Sequence, residues 1–160
     1  MLRTALTPVC CGLIWLGLPA CTSPTRSQPA PDFADMAIHY TRTSGWADAA
    51  TLESDGTGLV RASRLGHATL DTVVSVSTRL GPAARDRLAA LFTGFGDYRR
   101  RYEPDPWYTD GTLHTIRVTW SDRADTVSVY EPGRAAAPVG LRRLIAELES
   151  LWQDMVYPRD

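Results

Sequence analysis

Alternating apolar and polar residues predict most of the strands in this chain. Met36, Ile38 and Tyr40 alternate with polar neighbours, which is the pattern of a strand with one buried face. Five later stretches are also predicted as strands: 46–54, 59–64, 70–80, 116–120 and 127–129. The clearest alternation is the run from Leu70 to Leu80. The sequence therefore predicts about six strands.

Two segments have apolar residues at helical spacing. Gly81 and Pro82 interrupt the preceding strand, and proline suits the first position of a helix because the N–H that it lacks has no partner there. The first predicted helix runs from Pro82 to about Thr93. A single apolar stripe predicts the closing helix: Leu141, Leu144, Ile145, Leu148, Trp152 and Met155. Pro158 ends that helix.

The connections between these elements indicate the fold class. Asp55-Gly56 favours a two-residue type I′ hairpin, and no regular structure is predicted from Gly96 to Gly111. Strands joined by short turns pair antiparallel, and a helix with one apolar stripe buries only that stripe. The expected fold is α+β, with an antiparallel sheet of about six strands and two helices packed on one face. The expected order is β-β-β-β-α-β-β-α.

The first 20 residues are organised like a bacterial export signal. Arg3 lies in a short charged start, an apolar stretch runs from Ala5 to Leu18, and the small residue Ala20 precedes Cys21. Leu18-Pro19-Ala20-Cys21 resembles the lipobox of bacterial lipoproteins. That resemblance implies a signal peptide at 1–20, cleavage before Cys21, and a covalent lipid on the Cys21 sulfur.

The organisation of the mature chain follows from this boundary. Residues 21–32 contain three prolines and no apolar periodicity, which predicts a tether, and 33–160 is expected to form one domain. The lipoprotein resemblance implies attachment to a membrane of the cell envelope. Thr22 rather than aspartate follows Cys21, which resembles lipoproteins of the outer membrane. If the host is Gram-negative, that resemblance implies the outer membrane.

Composition excludes one class of partner and one source of stability. All 17 basic residues are arginine, 18 residues are acidic, and the formal net charge is -1, so no basic excess points to a nucleic acid. Cys10 and Cys11 lie in the signal, and Cys21 is the predicted site of the lipid. The folded domain then contains no cysteine, so its stability is expected to come from packing rather than disulfides.

The segment from Gly96 to Gly111 is the candidate for a binding surface. Aromatic and arginine side chains are enriched where proteins bind each other tightly, and the prolines at 104 and 106 stiffen the segment. A second interpretation stays open, in which the aromatic rings fold back over the sheet edge. The candidate partner-binding residues are Tyr98, Arg99, Arg100, Arg101, Tyr102, Trp107 and Tyr108.

Nothing in the sequence predicts catalysis. The chain contains no His-Glu-x-x-His, no cysteine pair in the mature part and no Gly-x-Ser-x-Gly. Glu103, Asp105 and Asp110 lack the spacing of a calcium-binding loop, and the three histidines lie far apart. The protein is therefore not expected to be an enzyme, to bind a metal, or to carry a cofactor other than the lipid.

The order of elements resembles that of emfourin-type proteins, small bacterial inhibitors of thermolysin-like metalloproteases. The likeness covers about Met36 to Leu151 and rests on a strand entering Gly45-Trp46, the Asp-Gly hairpin, the helix after Gly81-Pro82, an acidic and aromatic loop, a two-strand hairpin and a proline-led closing helix. It implies an envelope protein or protease as partner. The expected function is a membrane-anchored lipoprotein with a small binding domain. An envelope enzyme with a site assembled from loops, and a structural lipoprotein without a ligand, remain as alternatives.

Overall fold

A computed structural model describes residues 30–44, 48–65, 73–104 and 111–158. The predicted signal peptide, Cys21 and most of the predicted tether lie outside these ranges. Two of the candidate binding residues, Trp107 and Tyr108, lie outside them as well.

The described residues form seven strands and two α-helices, which confirms the α+β class. The first half contains β1 (Ala37–Ser44), β2 (Asp48–Ser54), β3 (Leu59–Leu65), β4 (Val73–Arg79) and α1 (Pro82–Leu91). The second half contains β5 (Arg101–Tyr102), β6 (Thr112–Thr119), β7 (Ala124–Tyr130) and α2 (Val139–Val156). The prediction of about six strands missed β5, because two residues are too few to show an alternation.

All seven strands belong to one sheet, in the order β4-β3-β2-β1-β6-β7-β5. The central strand β1 pairs antiparallel with β2 and with β6, so that Tyr40 lies opposite both Leu52 and Ile116. Among the described pairs, β5 with β7 is the parallel one. The predicted antiparallel sheet is therefore right for six strands and wrong for β5, whose connection to β7 passes through β6.

One face of the sheet carries the hydrophobic core. Leu52 and Ile116 are fully buried, and Tyr40 between them is only 1% exposed. Helix α2 crosses this face over β2, β3 and β4 and buries the stripe that the sequence predicts, with Leu144 and Leu148 at 0% exposure. The closing helix is thus confirmed, and its apolar stripe is the main cover of the sheet.

The opposite face of the sheet is polar. One row across six neighbouring strands consists entirely of hydroxyl residues: Ser128, Thr115, Thr41, Thr51, Ser63 and Ser75. The hydroxyls of Thr51 and Ser63 are hydrogen-bonded to each other, and those of Thr115 and Ser128 lie 3.2 Å apart. Cross-strand hydroxyl pairs of this kind stabilise an antiparallel sheet whose outer face is solvated.

Helix α1 closes one end of the core. Leu88 and Ala89 are buried, and the helix contacts α2 and the short 3-10 turn Phe33–Asp35. Gly94 adopts a left-handed φ of 72° just after α1, a conformation that commonly ends helices and that glycine adopts without steric cost. The helix ends at Leu91, two residues before the predicted end.

The turn between β2 and β3 corrects the predicted two-residue hairpin. Four residues, 55–58, join the strands, and the positive φ values fall on Gly56 and Gly58 at 85° and 87°. The Asp55 carboxylate accepts hydrogen bonds from the Thr57 amide at 3.0 Å and the Thr57 hydroxyl at 2.7 Å. This side-chain turn competes with the type I′ conformation, which would require a positive φ at Asp55 itself.

The segment from Gly96 to Gly111 has more regular structure than the sequence predicts. A 3-10 turn, Phe95–Asp97, opens it, and β5 follows four residues later. Phe95, just before the segment, is buried against Trp120, with ring centroids 6.2 Å apart. Because Trp120 directly follows β6, this contact holds the start of the segment against the end of that strand. The prediction of an unstructured segment is therefore wrong at 96–97 and at 101–102, because aromatic burial and strand pairing outweigh local preference there.

Candidate functional site

The described part of the candidate binding segment lies at one edge of the sheet. In the described residues, β5 is the end strand and pairs with β7 alone. Arg99, Arg100 and Arg101 are all exposed, whereas Tyr102 is only 6% exposed and belongs to the core. The structure therefore places three successive exposed arginines at the end strand of the described sheet, with the buried Tyr102 beside them.

The first arginine of the cluster is stacked on Tyr102. The Arg99 guanidinium lies 5.1 Å from the centroid of the Tyr102 ring, and the Arg99 amide donates a hydrogen bond of 2.9 Å to the Tyr102 hydroxyl. Stacking leaves the edge of the planar guanidinium group free to bind a carboxylate or phosphate. Tyr102 thus positions Arg99 instead of contacting a partner itself.

The third arginine is paired with a neighbouring acid. The Arg101 guanidinium lies 2.6 Å from the Glu103 carboxylate, and the two side chains are 69% and 39% exposed. An ion pair this exposed contributes little to stability because water screens it. Arg101 can therefore exchange Glu103 for an acidic group on another molecule at small cost.

Arg100 faces a cleft between this segment and the start of β7. The cleft has a volume of about 420 Å³ and is lined by Phe95, Gly96, Tyr98, Arg100 and residues 124–127. Gly96 is part of its wall, and a Cβ there would lie 3.3 Å from the carboxylate of Asp125. A volume of this size fits a small molecule or one or two peptide side chains.

The polar groups of the cleft differ in charge. Arg100 supplies a cation, and Asp125 supplies a carboxylate that lies 3.7 Å from the Arg123 guanidinium. Partial burial raises the pKa of the Tyr98 hydroxyl, and the neighbouring Tyr102 and Asp97 raise it further. Tyr98 therefore remains protonated at neutral pH and can donate a hydrogen bond. The cleft offers an arginine fork to an acidic group and one carboxylate to a basic or amide group.

A buried polar cluster lies on the inner face of the sheet, under α2. The Tyr40 hydroxyl is 2.8 Å from Nδ1 of His114, and the Arg42 guanidinium is 2.7 Å from the Glu149 carboxylate. Arg42 also lies 5.0 Å from the centroid of the Trp152 ring. None of these residues is among the candidates that the sequence indicated. The signal was that His114 lies two residues before Ile116 in β6, which places both side chains on the buried face of the sheet.

Burial sets the protonation of this cluster. It lowers the pKa of His114, with Arg42 adding to that effect, while Glu149 and Glu131 oppose it. Burial also raises the pKa of Tyr40. A neutral imidazole and a protonated phenol therefore share this hydrogen bond, and the imidazole tautomer determines which of the two donates. Because Tyr40 and His114 are 1% and 4% exposed, a substrate cannot reach them, and the pair has a structural role.

Metal binding and membrane crossing have no support within the described ranges. No group of three histidine, cysteine, aspartate or glutamate residues in this part of the chain is arranged to hold a metal ion. No helix among the same residues is both long enough and apolar enough to cross a bilayer.

Comparison with known proteins found no matching family model and no similar curated protein. The emfourin-type resemblance and the lipobox resemblance therefore remain predictions from the sequence. The geometry of the β5 edge and its cleft is therefore the basis for the proposed function.

Proposed function

We propose that this protein is a lipid-anchored envelope protein whose domain binds an acidic partner through the β5 edge and does not catalyse a reaction. The observation that carries this proposal is the run of three exposed arginines, Arg99 to Arg101, beside the cleft that contains Tyr98. Arginine forks bind carboxylates in a bidentate manner, and such pairs are strongest where a partner excludes water.

The partner is an envelope protein with an acidic segment that lies along β5. An edge strand offers backbone donors and acceptors to such a segment, and the guanidinium groups add charge recognition. The emfourin-type resemblance supplies a specific version, in which the partner is a thermolysin-like protease and the domain is its inhibitor. The two alternatives, an envelope enzyme and a structural lipoprotein, predict no capture of an acidic protein at this edge.

Capture from detergent-solubilised envelope tests the binding site. We expect the variant Arg99→Gln/Arg100→Gln to bind the partner about 30-fold more weakly or worse, because the loss of even one hot-spot arginine costs about 2 kcal/mol or more. The matched control is Arg142→Gln/Arg143→Gln, which removes two exposed arginines from α2. Equal losses in both variants, or no partner for any form, would remove the β5 edge from consideration.

Direct inhibition assays test the protease version separately. The soluble domain, residues 30–160, is expected to block a thermolysin-like protease at sub-micromolar concentration. The β5 variant should be weaker in this assay, and the α2 variant should match the unsubstituted domain. Inertness against a panel of such proteases would remove the inhibitor role and leave the binding module.

The lipid anchor has its own test. We expect Cys21→Ser to leave the precursor unprocessed or to release the protein from the membrane, because anchoring depends on the acyl chains attached at Cys21. Fractionation of cells and mass spectrometry of the mature N-terminus measure this outcome. A native mature protein that is soluble and has a free thiol at Cys21 would contradict the proposed anchor.

A further inference from the structure

The other edge of the described sheet is formed by β4, which has the features of an edge strand that can pair with a further strand. In the part of the chain that the structure describes, β4 pairs with β3 alone, through an uninterrupted register of seven residue pairs. Its sequence is Val-Val-Ser-Val-Ser-Thr-Arg. The strand contains no proline and no bulge, and its one charged residue is Arg79 at the end. Prolines, bulges and charged residues within an edge strand usually prevent edge-to-edge pairing, and β4 has only the arginine at its end.

The register determines which backbone groups of β4 point away from β3. The Leu80 amide donates a hydrogen bond of 2.8 Å to the Gly58 carbonyl, which makes these two residues a hydrogen-bonded pair. Hydrogen-bonded and non-hydrogen-bonded pairs alternate along an antiparallel ladder. Residues 74, 76 and 78 therefore bond to β3, and the amides and carbonyls of 73, 75, 77 and 79 face outward.

The side chains of β4 leave an apolar strip at this edge. Val74 is 40% exposed, and Val76 is half-buried on the same inner face that α2 covers further in. Tyr157, just after α2, is 50% exposed, and its ring lies 5.7 Å from the Arg64 guanidinium, directly across from Val74. An additional strand would extend the core over this strip and bury it.

We infer that β4 is a homotypic interface, at which a second copy of this chain adds its own β4 antiparallel and joins two sheets into one. A two-fold axis at Val76 places the outward amides and carbonyls of each copy opposite those of the other copy. Val76 then faces Val76 of the second copy, and Val74 faces Thr78. On the outer face Ser75 faces Ser77, so the polar surface continues.

Self-complementarity is the reason to choose a second copy over an unrelated peptide. In this register the outward amides and carbonyls at 73, 75, 77 and 79 all find partners, and no two arginines face each other. Apolar residues meet on the inner face and hydroxyls meet on the outer face, which are favourable cross-strand pairs. The inference depends neither on the lipid anchor nor on the β5 edge.

Cysteine cross-linking tests the register in the full-length chain. Opposing residues of a non-hydrogen-bonded antiparallel pair have Cα atoms about 4.5 Å apart, a distance that a disulfide can span. Val76→Cys is expected to give a species of twice the chain mass on a non-reducing gel after mild oxidation of the purified protein. Thr78→Cys alone should give none, because the two copies of residue 78 lie four residues apart along the ladder. The unsubstituted chain shows the background from the cysteines at 10, 11 and 21.

Co-expression of two different cysteine variants tests the register even if Val76→Cys prevents folding. Chains carrying Val74→Cys should cross-link to chains carrying Thr78→Cys when the two are expressed together. Neither variant should cross-link to itself. Equal cross-linking at 76 and 78, or an adduct with the mass of another protein, would overturn the homotypic register.

Proline provides a test without cysteine chemistry. The Ser77 amide points outward, so Ser77→Pro leaves the bonds to β3 intact and removes one donor from the proposed interface. Sedimentation of the soluble domain is expected to show a dimer for the unsubstituted form and for Ser77→Ala, and a monomer for Ser77→Pro with an unchanged circular dichroism spectrum. A domain that remains monomeric at its highest soluble concentration, together with no cross-link at 76, would refute the inference. So would a folded Ser77→Pro variant that still dimerises.

Discussion

Leu148→Ala tests whether the docking of α2 on the sheet holds this domain together. Leu148 is fully buried in the stripe that α2 presents to the core. The substitution removes three carbon atoms, and at about 0.8 kcal/mol per buried CH₂ the lost transfer free energy is about 2.4 kcal/mol. The cavity left behind adds to this loss because the surrounding core relaxes only in part. We expect the free energy of unfolding to fall by about 3–4 kcal/mol.

Urea titration of the soluble domain measures this change. Tryptophan fluorescence and far-ultraviolet circular dichroism should report the same transition, with a lower midpoint and an unchanged slope. Gln153→Ala is the matched control, since Gln153 is exposed on the same helix and its loss should change stability by less than about 0.5 kcal/mol. A loss below about 1 kcal/mol for Leu148→Ala, or equal losses in the two variants, would refute the proposed docking.

Three further predictions concern the polar core and one turn. Tyr40→Phe should lower the free energy of unfolding by about 1–3 kcal/mol in urea titration, because it leaves Nδ1 of buried His114 without its hydrogen-bond partner. No loss would mean that this hydrogen bond does not stabilise the fold. Burial lowers the pKa of His114 from its ordinary 6.5, so the unfolded chain binds more protons than the folded chain at acidic pH. The free energy of unfolding should therefore fall as the pH decreases below about 6.5. His114→Gln should flatten that part of the stability profile, and an unchanged profile would contradict it. Gly56→Ala should cost about 1–3 kcal/mol, because its φ is 85° and a Cβ would lie 2.8 Å from the Ala34 carbonyl oxygen. Gly133→Ala, where the added Cβ would meet no atom within 4 Å, should be close to neutral when both variants are compared by urea titration.

Local patterning determined much of the fold from the sequence alone. The stripe on α2 and the proline at the start of α1 each set an element within a few residues, because each depends on neighbours along the chain. Alternation likewise located β1 and β6 and showed which of their residues face the core. The α+β class followed from the type and order of these elements.

Tertiary structure alone decided the position of β5 and the role of the residues around it. Two residues have no periodicity, so the parallel pairing of Arg101 with Ser128 depends on where β7 lies. The same packing separated Tyr102, which is buried, from the exposed arginines beside it. Composition could identify aromatic and arginine residues as candidates, but it could not distinguish a core ring from a contact surface.

Long-range pairing also created the features that composition did not reveal. Tyr40 and His114 are 74 residues apart, and they meet because β1 and β6 are neighbours in the sheet. Within the described ranges β4 is likewise an end strand, although its sequence alternates as clearly as that of an internal strand. The sequence around a residue determines its local conformation. Its burial, its protonation and the availability of its backbone depend on neighbours that only the folded chain supplies.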